Sequence, residues 1–115
     1  AIASRIKASP CKIIIEAYGS VMSAATLIMA SGTVRKASKF SIFMVHESAV
    51  TIDGKTSEIK AFAKQMNREE DLYCHMMAEL TGTQFTVWRA MVDEGIDKYL
   101  SAQEALKYNL IHKIF

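Results

Sequence analysis

Residues 12–30 read KIIIEAYGSVMSAATLIMA, and this stretch decides the fold class. Its first part, residues 12–17, is a β-branched run that is apolar on both faces, which predicts an interior strand of a parallel sheet. Residues 18–20 are predicted as a short turn, and residues 23–30 as an apolar helix that ends before Gly32. A buried strand that passes through a tight turn into a helix is typical of α/β proteins.

The remainder of the chain extends this pattern. Residues 33–47 hold two strand-like segments, and apolar residues recur at three- and four-residue steps over residues 57–80. That spacing predicts one long amphipathic helix. Further elements are predicted as helices over residues 1–8, 84–94 and 102–108 and a closing strand over residues 110–115. Strands alternate with helices, and neither a repeat nor a linker interrupts them, so we predict a single α/β domain over residues 1–115.

Composition excludes several classes of protein. The 115 residues are 50% apolar and 23% charged, with a net charge of +2. No apolar run approaches the ~18 residues that a transmembrane helix needs. The basic residues do not form a dense cluster with interleaved aromatic residues, so a nucleic-acid partner is not expected. Cys11 and Cys74 lack the spacing of a metal site, and two free thiols fit a reducing compartment.

One position combines a reactive side chain with suitable geometry. Ser23 lies where the strand and turn lead into a helix, and the N–H groups of a first helical turn have no partner inside the helix. Such groups can stabilise the oxyanion of acyl transfer, but the local pattern alone favours the alternative that Ser23 is only the N-cap of the helix. His46 directly follows an apolar strand and is a candidate base, or alternatively a hydrogen-bonded structural histidine. Spacing alone does not select a carboxylate partner among the twelve acidic residues.

Five segments, taken in order, resemble the proteolytic subunit of the Clp protease, a serine protease. The segments are GSVMSAA at 19–25, ASGT at 30–33, FMVHE at 43–47, LTG at 80–82 and DKYLSAQEALKYNLI at 97–111. The resemblance implies a catalytic serine at Ser23, a histidine at His46 and an aspartate at Asp97. It also implies that the backbone N–H of Ala24 donates to the oxyanion.

The resemblance implies further properties of the protein. The fold would be the repeated β-β-α spiral of the Clp protease and crotonase families, with residues 57–80 as a protruding handle helix. The subunit would form a homo-oligomeric ring of the heptamer type and cleave unfolded proteins or peptides. A separate AAA+ ATPase would feed these substrates, and the chain itself would need neither a cofactor nor a metal. The location would be the cytoplasm, or an organelle matrix or stroma.

Two departures from the family bear on these expectations. The family has a further N-terminal portion that supplies a second oxyanion donor, so we expect this chain to be the larger C-terminal part of a longer subunit and weakly active or inactive alone. Gly95 and Ile96 replace a Glu-Arg pair that couples two rings in the family, so stacking of two rings by that pair is not expected. Two alternatives remain open, namely a non-catalytic ring subunit or scaffold and, less favoured, a crotonase-type acyl-CoA enzyme.

Overall fold

A computed structural model describes residues 2–48 and 51–115. The helices are α1 (Ile2–Ala8), α2 (Ala24–Ala30), α3 (Thr56–Thr81), α4 (Phe85–Asp93) and α5 (Ala102–Lys107). The strands are β1 (Ile14–Ala17), β2 (Ser20–Met22), β3 (Val34–Ala37), β4 (Ile42–Val45), β5 (Lys98–Ser101) and β6 (Lys113–Ile114). The mixed α/β class predicted from the sequence is therefore confirmed. Ala1, which the predicted first helix included, lies outside the described residues.

The strands form two small sheets of order β1-β3-β6 and β2-β4-β5. All neighbours in the first sheet are parallel, whereas in the second β2 runs parallel to β4 and β5 runs antiparallel to it. From β1 to β4 the chain alternates between the sheets, with α2 after β2 and α3 after β4, and it then places β5 in the second sheet and β6 in the first. The description of this order as a spiral with a handle remains a prediction.

The position of β1 differs from the sequence prediction. An interior strand was expected, but β1 lies at the edge of its sheet and pairs with β3 among the described residues. Ile14 is 52% exposed, and Ile15 packs on the opposite face against Gly32. The prediction was wrong in this respect because an uninterrupted apolar run shows a strand with two apolar faces, and not how many strands flank it.

Two strands were missed in the sequence. β2 is only three residues long: the predicted turn includes its first residue, Ser20, and no element is predicted for Val21 and Met22. β5 precedes the capping box of Ser101 and Glu104 and is likewise not predicted. Both strands form on the two sides of β4, with Met22 opposite Met44 on one side and Tyr99 opposite Met44 on the other. Their structure thus depends on pairing with a distant segment, which local sequence patterns do not report.

The predicted long helix is present as α3, which has 26 residues. It ends at Gly82, whose φ of 68° is the left-handed conformation that glycine adopts most readily at a helix C-terminus. Its last turns bury Cys74 and Met77, and they pack against α4 and α2. No helix in the described part of the chain is long and apolar enough to cross a membrane.

The hydrophobic core lies where α3 and α4 meet the second sheet. Its largest fully buried side chains include Trp88 of α4, Met77 of α3, Phe43 of β4 and Leu100 of β5. The Trp88 indole N–H donates to Thr83 Oγ1 at 2.7 Å, so its polar atom is satisfied. Because β4 is the central strand of this sheet, the core fixes the strand that carries the candidate site.

Candidate active site

Ser23 occupies a strained turn between β2 and α2. Its backbone has φ 56° and ψ −121°, a region that residues other than glycine rarely adopt and that costs about 1–3 kcal/mol. The Ser23 N–H donates to the carbonyl oxygen of Met44 at 2.8 Å, which extends the pairing between β2 and β4 by one residue. A serine on a sharp turn from strand to helix has the mechanics of a nucleophile elbow.

The contacts of the Ser23 side chain distinguish between its two interpretations, a nucleophile and the N-cap of α2. Among the described residues its hydroxyl makes no capping hydrogen bond to α2. Instead, Ser23 Oγ lies 2.9 Å from Nε2 of His46. β2 and β4 are parallel neighbours with Met22 opposite Met44, so the residues that follow them emerge at the same end of the sheet. The structure therefore brings the predicted serine and histidine together.

The second ring nitrogen of His46 identifies its tautomer. Nδ1 lies 2.5 Å from the backbone carbonyl oxygen of Glu47, and a carbonyl oxygen only accepts hydrogen bonds. Nδ1 therefore carries the proton in the neutral ring, which leaves the lone pair of Nε2 free to accept the Ser23 hydroxyl. This is the arrangement that a general base for a serine nucleophile requires.

Asp97 lies near His46 but does not contact it in this structure. β5 pairs with β4 so that Lys98 faces Val45, and Asp97 and His46 are the next residues beyond this pair. The Asp97 side chain is exposed, and the hydrogen bonds and ion pairs of residues 2–48 and 51–115 include none between it and His46. The Glu47 carbonyl is the partner of Nδ1 instead, so a role for Asp97 remains a prediction.

A second set of interactions, which local sequence patterns do not predict, holds the segment after His46. The backbone N–H of Ser48 donates to Glu70 Oε2 of α3 at 2.8 Å. The other oxygen of Glu70 lies 3.5 Å from the guanidinium of Arg89 in α4. Arg89 also pairs with Asp71 at 3.3 Å and with Asp93 at 3.0 Å. Burial opposes the charge on Arg89, but the three carboxylates outweigh it and raise its pKa.

A third set, also missed, lies beneath Ser23. Thr26, in the first turn of α2, is fully buried, and its hydroxyl donates to the carbonyl oxygen of Ser23 at 2.5 Å. The Tyr73 hydroxyl of α3 lies 2.6 Å from Thr26 Oγ1. Burial raises the pKa of Tyr73 to about 12, so this phenol is neutral near pH 7. Thr26 is a polar residue in an otherwise apolar helix, and this was the one sequence signal of a buried polar contact.

These residues border one cavity of about 160 Å³. Its lining comprises Ser23, Ala24, His46, Ser48, Glu69, Glu70, Tyr73 and Val92. The predicted serine, histidine and oxyanion-donor residue thus face a common space, together with two acidic side chains of α3. In the described part of the chain, no group of three or more His, Cys, Asp or Glu side chains is arranged to hold a metal ion. The chemistry that the lining can supply is a hydroxyl nucleophile beside an imidazole base.

Comparison with known proteins gives a consistent family. The family model described as Clp protease matches residues 1–115. The ATP-dependent Clp protease proteolytic subunit 2 of Pseudomonas aeruginosa is 32% identical over 107 residues, which cover 90% of this chain and 51% of that protein. The ATP-dependent Clp protease proteolytic subunits of two strains of Dehalococcoides mccartyi are each 29% identical over 100 residues, which cover 84% of this chain and 48% of theirs.

The chain spans about half the length of the curated relatives it matches. The family match nevertheless extends over all of its residues and includes the turn that carries Ser23 and the strand end that carries His46. The resemblance stated from the sequence segments is therefore confirmed: this chain belongs to the Clp protease family.

Proposed function

We propose that the chain is part of a serine endopeptidase, the proteolytic subunit of an ATP-dependent Clp-like protease that cleaves unfolded proteins or peptides. The observation that carries this proposal is the 2.9 Å contact between Ser23 Oγ and His46 Nε2. Ser23 makes it from a strained turn that lines a cavity, instead of capping its helix. A serine that only capped the helix would need neither the strained backbone nor the contact with His46.

The mechanism follows from the hydrogen bonds of the pair. Ser23 Oγ attacks the carbonyl carbon of the scissile peptide bond while His46 Nε2 accepts the hydroxyl proton. The oxyanion of the tetrahedral intermediate accepts a hydrogen bond from the Ala24 N–H. His46 then gives its proton to the leaving amine, and a water molecule repeats the sequence on the acyl-enzyme.

Asp97 has the role of the third residue in this proposal. When His46 becomes an imidazolium, a carboxylate stabilises the new charge better than a neutral carbonyl does. Asp97 and His46 are the residues directly beyond the pair of Lys98 and Val45, so the register of β4 and β5 places them side by side. We therefore expect Asp97 to replace the Glu47 carbonyl as the partner of His46 in the active state.

The partners are proposed on the family relationship. The subunit would assemble into a homo-oligomeric ring, with the exposed first half of α3 as the handle helix, and an AAA+ ATPase would deliver substrate. The relatives are named as ATP-dependent proteolytic subunits, which supports this assignment. A location in the cytoplasm, or in an organelle matrix or stroma, is proposed on the same basis.

A non-catalytic ring subunit is the second candidate function. The observation that favours it is the Glu47 carbonyl on Nδ1 of His46, which leaves Asp97 out of the site. The crotonase-type alternative uses two backbone donors without a serine nucleophile, and the Ser23–His46 contact argues against it.

Labelling with a fluorophosphonate separates these functions. We expect the reagent to modify Ser23 in the assembled protein, and Ser23→Ala to abolish both labelling and peptide hydrolysis, with a loss of about 10⁶ in kcat. Ser20→Ala, three residues earlier on β2, is the matched control and keeps both. Labelling that persists in Ser23→Ala, or its absence from the assembled parent protein, refutes the peptidase.

A further inference from the structure

The buried hydrogen bonds beneath Ser23 have a fixed direction. The carbonyl oxygen of Ser23 accepts twice from Thr26, from its backbone N–H at 3.0 Å and from its hydroxyl at 2.5 Å. A threonine hydroxyl has a single proton, and here the carbonyl takes it. In the 2.6 Å contact between the two hydroxyls, Tyr73 must therefore be the donor and Thr26 Oγ1 the acceptor. The result is an ordered chain from the Tyr73 hydroxyl through the Thr26 hydroxyl to the Ser23 carbonyl.

This chain ends on the peptide group that matters most to the proposed reaction. The Ser23 carbonyl and the Ala24 N–H belong to the same peptide unit, which is planar and trans, so the two point in opposite directions. A hydrogen bond that fixes the direction of the carbonyl therefore fixes the direction of the N–H as well. The Ala24 N–H is the proposed oxyanion donor, and Ala24 lines the cavity with Ser23 and His46.

The strained backbone at Ser23 makes such a restraint necessary. With φ at 56°, this residue would relax towards a common conformation unless its neighbours held it on both sides. On its amino side the Ser23 N–H is bound to the Met44 carbonyl at 2.8 Å. On its carboxyl side the restraint is Thr26, supported by Tyr73 from a different helix. Rotation of the Ser23–Ala24 peptide would break the bonds to Thr26.

We propose that Thr26 and Tyr73 are positioning residues that aim the Ala24 N–H at the oxyanion by holding the Ser23–Ala24 peptide plane. The inference rests on the proposed peptidase function and assigns to it two residues outside the triad. Neither side chain needs to touch the substrate at its reacting atoms. Their contribution is to the transition state, because the oxyanion exists only there.

The test compares kcat and KM of the assembled protein on a fluorogenic peptide, together with the rate of fluorophosphonate labelling. Thr26→Val removes the hydroxyl at nearly constant shape, and Tyr73→Phe removes one oxygen. We expect Thr26→Val to lower kcat and the labelling rate about tenfold or more with KM within about twofold, and Tyr73→Phe to lower both by a smaller factor. Thr26→Ser, which retains the donor, is the conservative control and is expected to stay within about threefold of the parent.

The double variant Thr26→Val/Tyr73→Phe sharpens the result. If the two hydroxyls act in one chain, the double variant is no slower than Thr26→Val alone, because Tyr73 acts only through Thr26. Rates are compared at a temperature where thermal melting shows every variant folded. A general structural weakening would lower the activity of Thr26→Ser in line with its melting temperature and would make the two losses multiply.

Failure of this inference is distinguishable from failure of the proposed function. If Ser23→Ala abolishes labelling while Thr26→Val keeps kcat and labelling within about twofold of the parent, the peptidase stands and the positioning role is refuted. A rise in KM with an unchanged kcat for Thr26→Val also refutes the positioning role, because it would place the effect in substrate binding. If labelling survives Ser23→Ala, the peptidase and this inference fail together.

Discussion

The two halves of α3 carry the same apolar periodicity but have different surroundings. In the second half Cys74 and Met77 are fully buried in the core against α4 and α2. In the first half Ile59 is 40% exposed, and Phe62 and Met66 line an open surface cavity of about 500 Å³. A hydrophobic stripe therefore predicts a helix, but it does not predict which turns of the helix other elements cover.

The boundary between the halves coincides with the candidate site. Glu70 and Tyr73, three residues apart on α3, face the site and hold the segments that follow His46 and Ser23 respectively. After Tyr73 one face of the helix is buried in the core, whereas before Glu70 all of its residues are exposed or half-buried. The packed half therefore serves both stability and the geometry of the site, whereas we expect the exposed half to serve contacts with other subunits.

The largest expected effect comes from truncating one methionine in each half. Met77→Ala leaves a cavity in the core and should lower the free energy of unfolding by about 2–5 kcal/mol. Met66→Ala, the matched change in the exposed half, should cost less than about 1 kcal/mol. Urea unfolding of the 115-residue chain, followed by the fluorescence of Trp88, measures both, since Trp88 is the single tryptophan and is fully buried. Equal losses would contradict the distinction between the halves.

A smaller effect concerns Tyr73 at the boundary. Burial raises the pKa of this phenol to about 12 from an ordinary 10.0, so the folded state favours the protonated, neutral form. The resulting stability is fully present below pH 10 and is lost as the pH rises from 10 through 12, by about 3 kcal/mol in all. Other groups titrate in this range too, so the measurement is the difference between the parent and Tyr73→Phe in urea unfolding at each pH. A difference that stays constant from pH 9 to 12 would contradict the burial of this hydroxyl.

The smallest effect is expected for the ion pairs that join α3 to α4 at the same boundary. Arg89→Met leaves Glu70, Asp71 and Asp93 without their shared cation, and we expect a loss of about 1 kcal/mol. The loss should diminish in 1 M salt, because salt screens the repulsion among the three carboxylates. Arg68→Met is the control, since Arg68 is exposed on α3 and the ion pairs of the described residues do not include it. A loss at Arg89 that is independent of salt would point to packing of its alkyl chain instead.

The extent of prediction from sequence differs between the elements and the site. The helix pattern placed α3 over residues 57–80, close to its observed Thr56–Thr81, because its apolar period is long and regular. Asn109 directly follows the predicted helix over residues 102–108 and has a φ of 59°, a left-handed conformation that asparagine tolerates at a helix end. β2 and β5 were missed because each is short and forms only by pairing with β4. The edge position of β1 escaped prediction for the related reason that neighbours in a sheet come from distant segments.

At the site, the residue types were available from the sequence but their contacts were not. Ser23 and His46 were singled out because one begins a helix after a strand and the other ends a strand. The supporting residues Thr26, Glu70 and Tyr73 were missed. Glu70 and Tyr73 contact groups that are distant in sequence, and Thr26 contacts the Ser23 carbonyl within the first turn of its own helix. The expected contact between His46 and Asp97 is replaced here by the neighbouring Glu47 carbonyl, a local alternative that no motif encodes.

The α/β class, the long helix, the family and the two residues of the candidate nucleophile–base pair can all be predicted from the sequence alone. These follow from local periodicity and from ordered segments, which depend on neighbours along the chain. The contact of the Ser23 hydroxyl with His46, and not with its own helix, becomes visible only in the folded chain. The same is true of which half of α3 is buried and which distant side chains hold the Ser23 peptide. These outcomes depend on how parallel strands and packed helices bring separate segments together, and that information resides in no single stretch of the chain.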